Sequence, residues 1–438
     1  MEWYIALLII VGSLLVMMAT GMPVAFAFLL LNVIGMFLWW GGEAGLRVLS
    51  VSIYQSITSF TLLPLALFIL MGEVMFHSGV APLMINTVNK WLGRLSGRLG
   101  LVAVGSGTLL AFLTGSSIGS VAVLSSTLVP EMEKQGYKKP MSLGPILGSG
   151  GLAMMIPPSG LAVLLGAIAE ISIGRILIGI IIPGLLMAVL YAVYIIGRCR
   201  LQPSIAPAYD VPHIPLKEKI IDTVRYILPL GFIIFLVVGV ILIGIATPSE
   251  AAATGALSTF ILAAIYKRMN WQVAKKTLSG SLQVTIMIFM ILVGAKAFGQ
   301  VLARSGASAG FVQFVTTLPL PPMPIFIGLL FIIFIMGMFI NEGSIMLITL
   351  PLFMPVIRSF GFDPAWFAVV YLIVIETACT SPPFGLSLFV MKGAAPSDTT
   401  MGDIYRAALP FIYCDFASLA LVIAFPVIAL WLPSLMMR

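Results

Sequence analysis

Two adjacent prolines inside a long apolar run constrain the fold of this chain more than any other feature, and the chain has them twice. Pro157 and Pro158 open "PPSGL", and Pro382 and Pro383 open "PPFGL". Proline lacks an N–H and clashes with the preceding turn, so each pair must interrupt a helix. The interruptions share a spacing. Pro130 and Pro355, Gly136 and Gly361, Pro157 and Pro382, and Gly160 and Gly385 all lie 225 residues apart. Single Pro or Gly matches are common in apolar chains. Four landmarks holding one offset mark an internal duplication, roughly 60–200 against 277–435.

The medium follows from composition. The chain is 60% hydrophobic and 9% charged, and apolar runs long enough to span a bilayer recur from end to end. That excludes a soluble globular protein and points to an all-α polytopic membrane protein. The opening "MEWYIALLIIVGSLLVMMATG" has no basic leader, so it is expected to be a first span rather than a cleaved signal. The net charge of +7 is explained by basic residues on one side of a membrane, with no nucleic-acid partner implied. Cys199, Cys379 and Cys414 are scattered and make no disulfide framework or metal cluster. His77 and His213 are expected to be isolated loop histidines. With no cluster of His, Cys or paired acids the chain is expected not to be an enzyme. No G-x4-GK-[ST] occurs, so nucleotide-driven transport is not expected either.

Lys and Arg set the orientation. Seventeen fall in joints at 77–100, 131–140, 197–225, 267–276 and 392–406, and five in the other joints: Arg47, Arg175, Arg304, Arg358 and Arg438. The first set is therefore cytoplasmic. Segment 99–130 then has both ends inside and a small polar middle, "TGSSIGS", as in a re-entrant hairpin. Segment 141–173 crosses outward, broken at "IPPSG". In the second copy, segment 322–357 has both ends outside around "INEGS", and segment 364–391 crosses inward, broken at "TSPPFG". The copies are thus inverted, with two re-entrant helical hairpins and two discontinuous helices, as in secondary transporters.

The expected division is four-part. Residues 1–61 hold scaffold spans and an arm, and 62–200 form repeat 1. Residues 201–276 hold a Pro-rich cytoplasmic linker and a scaffold helix pair, and 277–438 form repeat 2. "WW" at 39–40 and "EAGLRVLSVSIYQSITSF" at 43–60 fit an interfacial arm or partner contact, with an extra span as the other reading.

The breaks also suggest chemistry. Pro157 and Pro158 cannot bond the carbonyls of Ala153 and Met154, and Pro382 and Pro383 leave those of Ala378 and Cys379. Freed carbonyls suit a hard cation such as Na⁺. The hairpin tips add oxygen through Ser116, Ser117 and Ser120, and through Asn341 and Ser344; Thr377 and Thr380 precede the second break. Two pseudo-symmetric cation sites are one reading, and simple kinks with Ser and Thr satisfying the backbone are the other. Ionisable residues inside apolar runs are costly and so suspect: Glu73, Glu170, Glu250, Lys296, Glu342, Glu376 and Asp415. Glu73 and Lys296 occupy similar places in the two copies and could pair with each other or with neighbours.

"PLALFILMGEVMFHSG", "GSSIGSVAVLSSTLVPEMEKQGY", "IPPSG", "GMFINEGSIMLITLPLFMPV" and "TSPPFGLSLFV" together resemble the large membrane subunit of TRAP transporters, the DctM family, over nearly the whole chain. The resemblance implies an inverted-repeat elevator-type transporter in the bacterial inner membrane, importing organic acids with Na⁺ as coupling ion and no other cofactor. It implies as partners a small four-helix membrane subunit and a periplasmic substrate-binding protein. Because only two residues precede the first apolar run, the small subunit is expected to be a separate chain. Carried onto this sequence, one Na⁺ site takes Ser116, Ser117 and Ser120 with Gly150, Ala153, Met154, Pro157 and Pro158. The other takes Asn341, Glu342, Gly343 and Ser344 with Thr377, Thr380, Pro382 and Pro383. The expected substrate contacts are small and neutral: Ser116, Ser159, Asn341, Thr380 and Ser381. Family members often carry an aspartate at the second tip, where this chain has Asn341-Glu342. A single-component Na⁺-coupled dicarboxylate symporter of similar architecture is the alternative.

Overall fold

The structure is a computed structural model that describes residues 2–114, 117–209 and 214–436. Its described residues form helices and short turns, with no strand. The first half comprises α1 (Trp3–Ala19), α2 (Val24–Trp39), α3 (Glu43–Ile57), α4 (Leu63–His77), α5 (Ala81–Trp91), α6 (Arg98–Thr114), α7 (Ser117–Lys134), α8 (Lys139–Met155), α9 (Gly160–Ala169), α10 (Ile173–Gly179) and α11 (Ile181–Leu201). The second comprises α12 (Leu216–Asp222), α13 (Leu228–Ile234), α14 (Val240–Leu242), α15 (Pro248–Ile265), α16 (Trp271–Arg304), α17 (Ala307–Thr317), α18 (Pro322–Gly337), α19 (Glu342–Ser359), α20 (Pro364–Cys379), α21 (Leu386–Ala394), α22 (Met401–Ala424) and α23 (Val427–Ser434).

Six helical segments among the described residues are long and apolar enough to cross a bilayer, and eight if each bent pair counts as one span. The bent pairs are α4–α5, at 71°, and α8–α9, at 43°. Large apolar side chains such as Leu8, Val16, Leu38, Val193 and Phe331 stand exposed on the outer faces, as expected of a surface whose solvent is lipid. The chain is an all-α polytopic membrane protein.

Helix bounds repeat at the sequence offset of 225. Shifting Ser117–Lys134 by that offset lands on Glu342–Ser359, which is α19. Shifting α8 and α9 lands on α20 and α21 within one residue at each end. The correspondence continues upstream of residue 60, since α2 shifts onto α15 within one residue. Packing repeats as well. Helix α4 packs on α15, and α16, whose second half is the counterpart of α4, packs on α2. Helix α7 packs on α21 and α19 packs on α9, so each hairpin pair leans on the other copy's broken helix.

The broken helices occupy the centre. Every residue of α8 from Met141 to Met155 is buried, and so is every residue of α20 from Ala365 to Cys379. Glycines let neighbours approach α8 closely: Gly144 and Gly148 lie against Phe411 of α22, and Gly150 lies against Val121 of α7. Irregular backbone at membrane depth is tolerated only under such cover.

Local chemistry places the ends. Asp363 caps α20 by accepting from Ala365 N at 2.7 Å and Trp366 N at 3.0 Å, with Pro364 at the first helical position. Glu250 closes a capping box on α15, its Oε2 accepting from Thr247 N at 2.7 Å. The suspicion attached to Glu250 is thus met by a helix cap.

The stretch 43–60 and the isolated charges also take definite places. Helix α3 has 15 residues, about 22 Å at the α-helical rise and short of a bilayer core. It packs on α2 and α16, with Arg304 over the Trp40 ring at 5.8 Å. His77 is not isolated: it closes the last turn of α4 with Nε2 3.1 Å from Glu73 Oε2. Glu73 therefore pairs with His77, not Lys296. His213 lies outside the described residues. The start of the Pro-rich linker is strapped to the base of the first hairpin pair. Ser96 Oγ donates to Ala206 O at 2.7 Å, Lys138 N donates to Ile205 O at 2.9 Å, and Arg98 Nη1 reaches Tyr209 Oη at 2.6 Å.

Candidate functional site

At the first break α8 ends on Met155, Ile156 is extended, and α9 restarts at Gly160. At the second α20 ends on Cys379 and α21 restarts at Leu386. The peptide between the two prolines is cis in both. Pro157, Pro158 and Ser159 are buried. Ser159 Oγ accepts from Ala162 N at 3.3 Å and so caps α9.

The second break carries three hydroxyls in two turns. Thr377 Oγ1 donates to Ile373 O at 2.7 Å. Thr380 Oγ1 donates to Thr377 O at 3.1 Å, and Ser381 Oγ to Thr377 O at 2.6 Å. Each hydroxyl spends its one proton on the helix behind it, which leaves the oxygen lone pairs turned the other way. All three side chains are buried. One expectation is corrected here. The Ala378 carbonyl is not free, because Ser381 N donates to it at 3.0 Å. The adjacent Cys379 carbonyl sits in the bend, where Gly385 approaches so closely that an added Cβ would meet it at 2.4 Å.

The hairpin tips come to these breaks. Glu342 Oε1 accepts from Cys379 Sγ at 3.3 Å, which joins the second tip to the second break. Asn341 Oδ1 accepts from Ser344 N at 3.0 Å and from Ser344 Oγ at 2.9 Å, capping α19. Gly343, between them, is half-buried at the tip and faces Leu164 of α9. On the first tip Ser117 and Ser120 are buried. Val121, one turn on, packs on Gly150. Ala153 and Met154 are buried at the end of α8, where Pro157 and Pro158 have no N–H for their carbonyls. Ser116 lies outside the described residues.

Two features escaped the sequence reading. Ser117 Oγ stands 3.4 Å from Ser387 Oγ, a contact from α7 across to α21. Ser387 follows the second break directly, in "PPFGLS", and only the crosswise packing reveals its importance. The second is a meeting of counterparts. Gly151 shifted by 225 is residue 376, and these two touch: a Cβ on Gly151 would lie 1.3 Å from Glu376 Oε1. Glu376 is fully buried, and neither carboxylate oxygen has a hydrogen-bond partner among the described residues. Asp415, by contrast, accepts a hydrogen bond from the Tyr191 hydroxyl.

The Gly151–Glu376 contact makes a measurable statement. Gly151→Ala is expected to destabilise the purified protein in detergent by about 1–3 kcal/mol, the usual cost of overpacking. Glu376→Ala in the same chain is expected to recover most of that loss. Additive losses in thermal unfolding of the two single variants and the double variant would refute the contact.

The arrangement therefore offers two buried breaks of bent backbone, the second lined with hydroxyls and bordered by its hairpin tip, with Ser117 and Ser120 buried on the first tip. This chain matches the family model described as "Tripartite ATP-independent periplasmic transporter, DctM component" over residues 11–428. It is 31% identical to the C4-dicarboxylate TRAP transporter large permease protein DctM of Pseudomonas aeruginosa, over 89% of this chain and 90% of that one. It is 27% identical to the ectoine TRAP transporter large permease protein TeaC of Halomonas elongata, over 98% and 99% of the two chains. It is 26% identical to the sialic acid TRAP transporter large permease protein SiaM of Vibrio cholerae, over 97% and 98%. In fold it is similar to the YdaH transporter of Alcanivorax borkumensis, whose crystal structure was described as having an unusual topology. The TM-score is 0.63, with 14% identity over 89% of each chain.

Proposed function

The chain belongs to the DctM family of TRAP transporter large permeases, and from that premise we propose that it drives import of an organic acid with Na⁺ bound at the two helix breaks. One observation carries this reading: the duplicated proline breaks end two helices buried along almost their whole length, and the second break is lined with buried hydroxyls and met by its hairpin tip. The first Na⁺ site takes Ser116, Ser117, Ser120, Gly150, Ala153, Met154, Pro157 and Pro158. The second takes Asn341, Glu342, Gly343, Ser344, Thr377, Thr380, Pro382 and Pro383, with the Cys379 carbonyl rather than that of Ala378. Ser159, Asn341, Thr380 and Ser381 border the place for the acid. The hairpins and broken helices, within 62–200 and 277–438, form the moving part. Residues 1–61 and 201–276, with the helix that opens each repeat (α4 and the second half of α16), form the fixed part.

A cation drives such a cycle only by binding one state of the carrier better than another. Each Na⁺ entering down 100 mV supplies about 2.3 kcal/mol before any concentration gradient. The partners in this reading are a small four-helix membrane subunit and a periplasmic substrate-binding protein, in a bacterial inner membrane. The substrates for which the relatives are named, a C4-dicarboxylate and sialic acid among them, support a carboxylate.

The test is uptake into proteoliposomes holding this chain and its small subunit, with the binding protein outside. Uptake of a labelled acid is expected to need an inward Na⁺ gradient and the binding protein. Na⁺-dependent uptake without the binding protein would establish the single-component symporter instead. Flux indifferent to Na⁺ would return the prolines to simple kinks.

A further inference from the structure

A single lysine sits where the fold gives no reason for one. Lys296 interrupts "FMILVGAKAFGQVL" on α16, eight residues before the helix ends at Arg304, hence about 12 Å deeper. Ala295 and Ala297 on either side are buried, while Lys296 itself is exposed. It is exposed into a cavity of about 410 Å³ walled by α3, α9, α16 and α19, which continues past Lys296 and Glu170 into a second of about 750 Å³. Spaces of that size with polar walls hold water or a ligand. Ser52 and Ser56 of α3, Glu170 and Gln300 supply the polar wall. Glu170 is not within ion-pairing distance of Lys296, and no hydrogen bond or ion pair ties Lys296 to a described residue. Gln300 Oε1 also lacks a partner among the described residues.

The duplication sharpens the point. The counterpart of Lys296 at the offset of 225 is Met71, which is buried in the packing between α4 and α15. The fold thus builds this helix position with methionine in one copy. A charge at that depth in the other copy is costly and calls for a different reason. In the orientation proposed above, the cavity lies toward the outer side, where Arg304 ends α16 and Arg175 stands in the first turn of α10.

We propose that Lys296 anchors the carboxylate of the incoming acid in an outer vestibule, with Gln300 and the α3 serines beside it for the remaining polar atoms. The inference rests on the organic-acid reading of the family's function. An ammonium in a partly desolvated cavity makes a charge-assisted hydrogen bond to a carboxylate, and removing it costs binding more than it costs the fold.

The experiment compares the wild-type complex with Lys296→Met, which installs the counterpart's residue, and Lys296→Arg. Initial rates of uptake of succinate, fumarate, N-acetylneuraminate and ectoine are measured against concentration and against Na⁺. For whichever compound the wild type carries, Lys296→Met is expected to raise the apparent KM at least about tenfold. Lys296→Arg is expected to recover much of it, and the half-saturating Na⁺ is expected to stay the same in both. An unchanged KM in Lys296→Met, or a loss that Arg does not relieve, overturns the anchor. Carriage of ectoine alone, a zwitterion that still bears a carboxylate, overturns the organic-acid reading and leaves the KM comparison to decide the role of Lys296; carriage of none of the four overturns both. Wild-type uptake of an acid without Na⁺ overturns the coupling alone, and the KM comparison still decides the role of Lys296.

Discussion

Gly385→Ala is expected to lower Na⁺-dependent uptake by at least about 100-fold, the scale of loss that follows a misplacement of about 1 Å in a positioned site. The reason is that its neighbours are backbone. A Cβ on Gly385 would lie 2.4 Å from Cys379 O and 2.7 Å from Ser381 O, and neither can rotate away. The bend must open, and with it go the Cys379 carbonyl and the turn that Gly385 N closes onto Ser381 O at 3.1 Å. Gly393→Ala is the matched control. It lies in the helix that Gly385 precedes, nothing stands within 4 Å of the added carbon, and alanine is favoured over glycine in a helix. Wild-type uptake in Gly385→Ala, or equal loss in both variants with both proteins folded, would show that the shape of the second break does not matter.

Thr380→Val is expected to raise the half-saturating Na⁺ at least about tenfold, while the protein still folds and still assembles with its small subunit. Valine keeps the branched shape and removes only the hydroxyl. Thr380 Oγ1 donates back to Thr377 O and Glu376 O, so its oxygen can still accept a cation. Thr380→Ser keeps that oxygen and is expected to stay near wild type. Ser117→Ala is expected to act in the same direction at the first proposed site, although Ser117 itself stands against Ser387, which follows the second break. If Thr380→Val changes uptake at saturating acid but not its Na⁺ dependence, the hydroxyl is a helix cap and nothing more.

Those effects rest on features of unequal legibility. The breaks were visible in sequence because proline's missing N–H is a local fact that no tertiary contact repairs. The shared offset was visible because Pro and Gly landmarks survive where apolar residues interchange freely. Upstream of residue 60 there are no such landmarks. Helices α2, "VAFAFLLLNVIGMFLW", and α15, "PSEAAATGALSTFILAAI", share a place and a length but no pattern, so their kinship appears only in the helix bounds.

The bend between α4 and α5, at Gly79 with φ +66, went unread because a basic cluster suggested a span end there. The partner of Ser117 could not be found locally, since α21 comes from the other copy. The Gly151–Glu376 contact did carry a signal. Residues one offset apart that face the same packing layer meet across the axis relating the copies, and this pair is one offset apart. Among the suspect charges, burial and partners divided what composition could not. Glu250 caps a helix, Glu73 holds His77, Asp415 accepts from the Tyr191 hydroxyl, and Glu376 and Lys296 remain without partners among the described residues.

The central claim is that both proline breaks bind Na⁺. The most direct measurement is a high-resolution cryo-electron-microscopy structure of the complex with its small subunit, in NaCl and in choline chloride. The account expects an ion at each break in NaCl, absent in choline, with the second lost in Thr380→Val. Two ordered breaks without an ion, in a complex that transports in the same NaCl buffer, would contradict it.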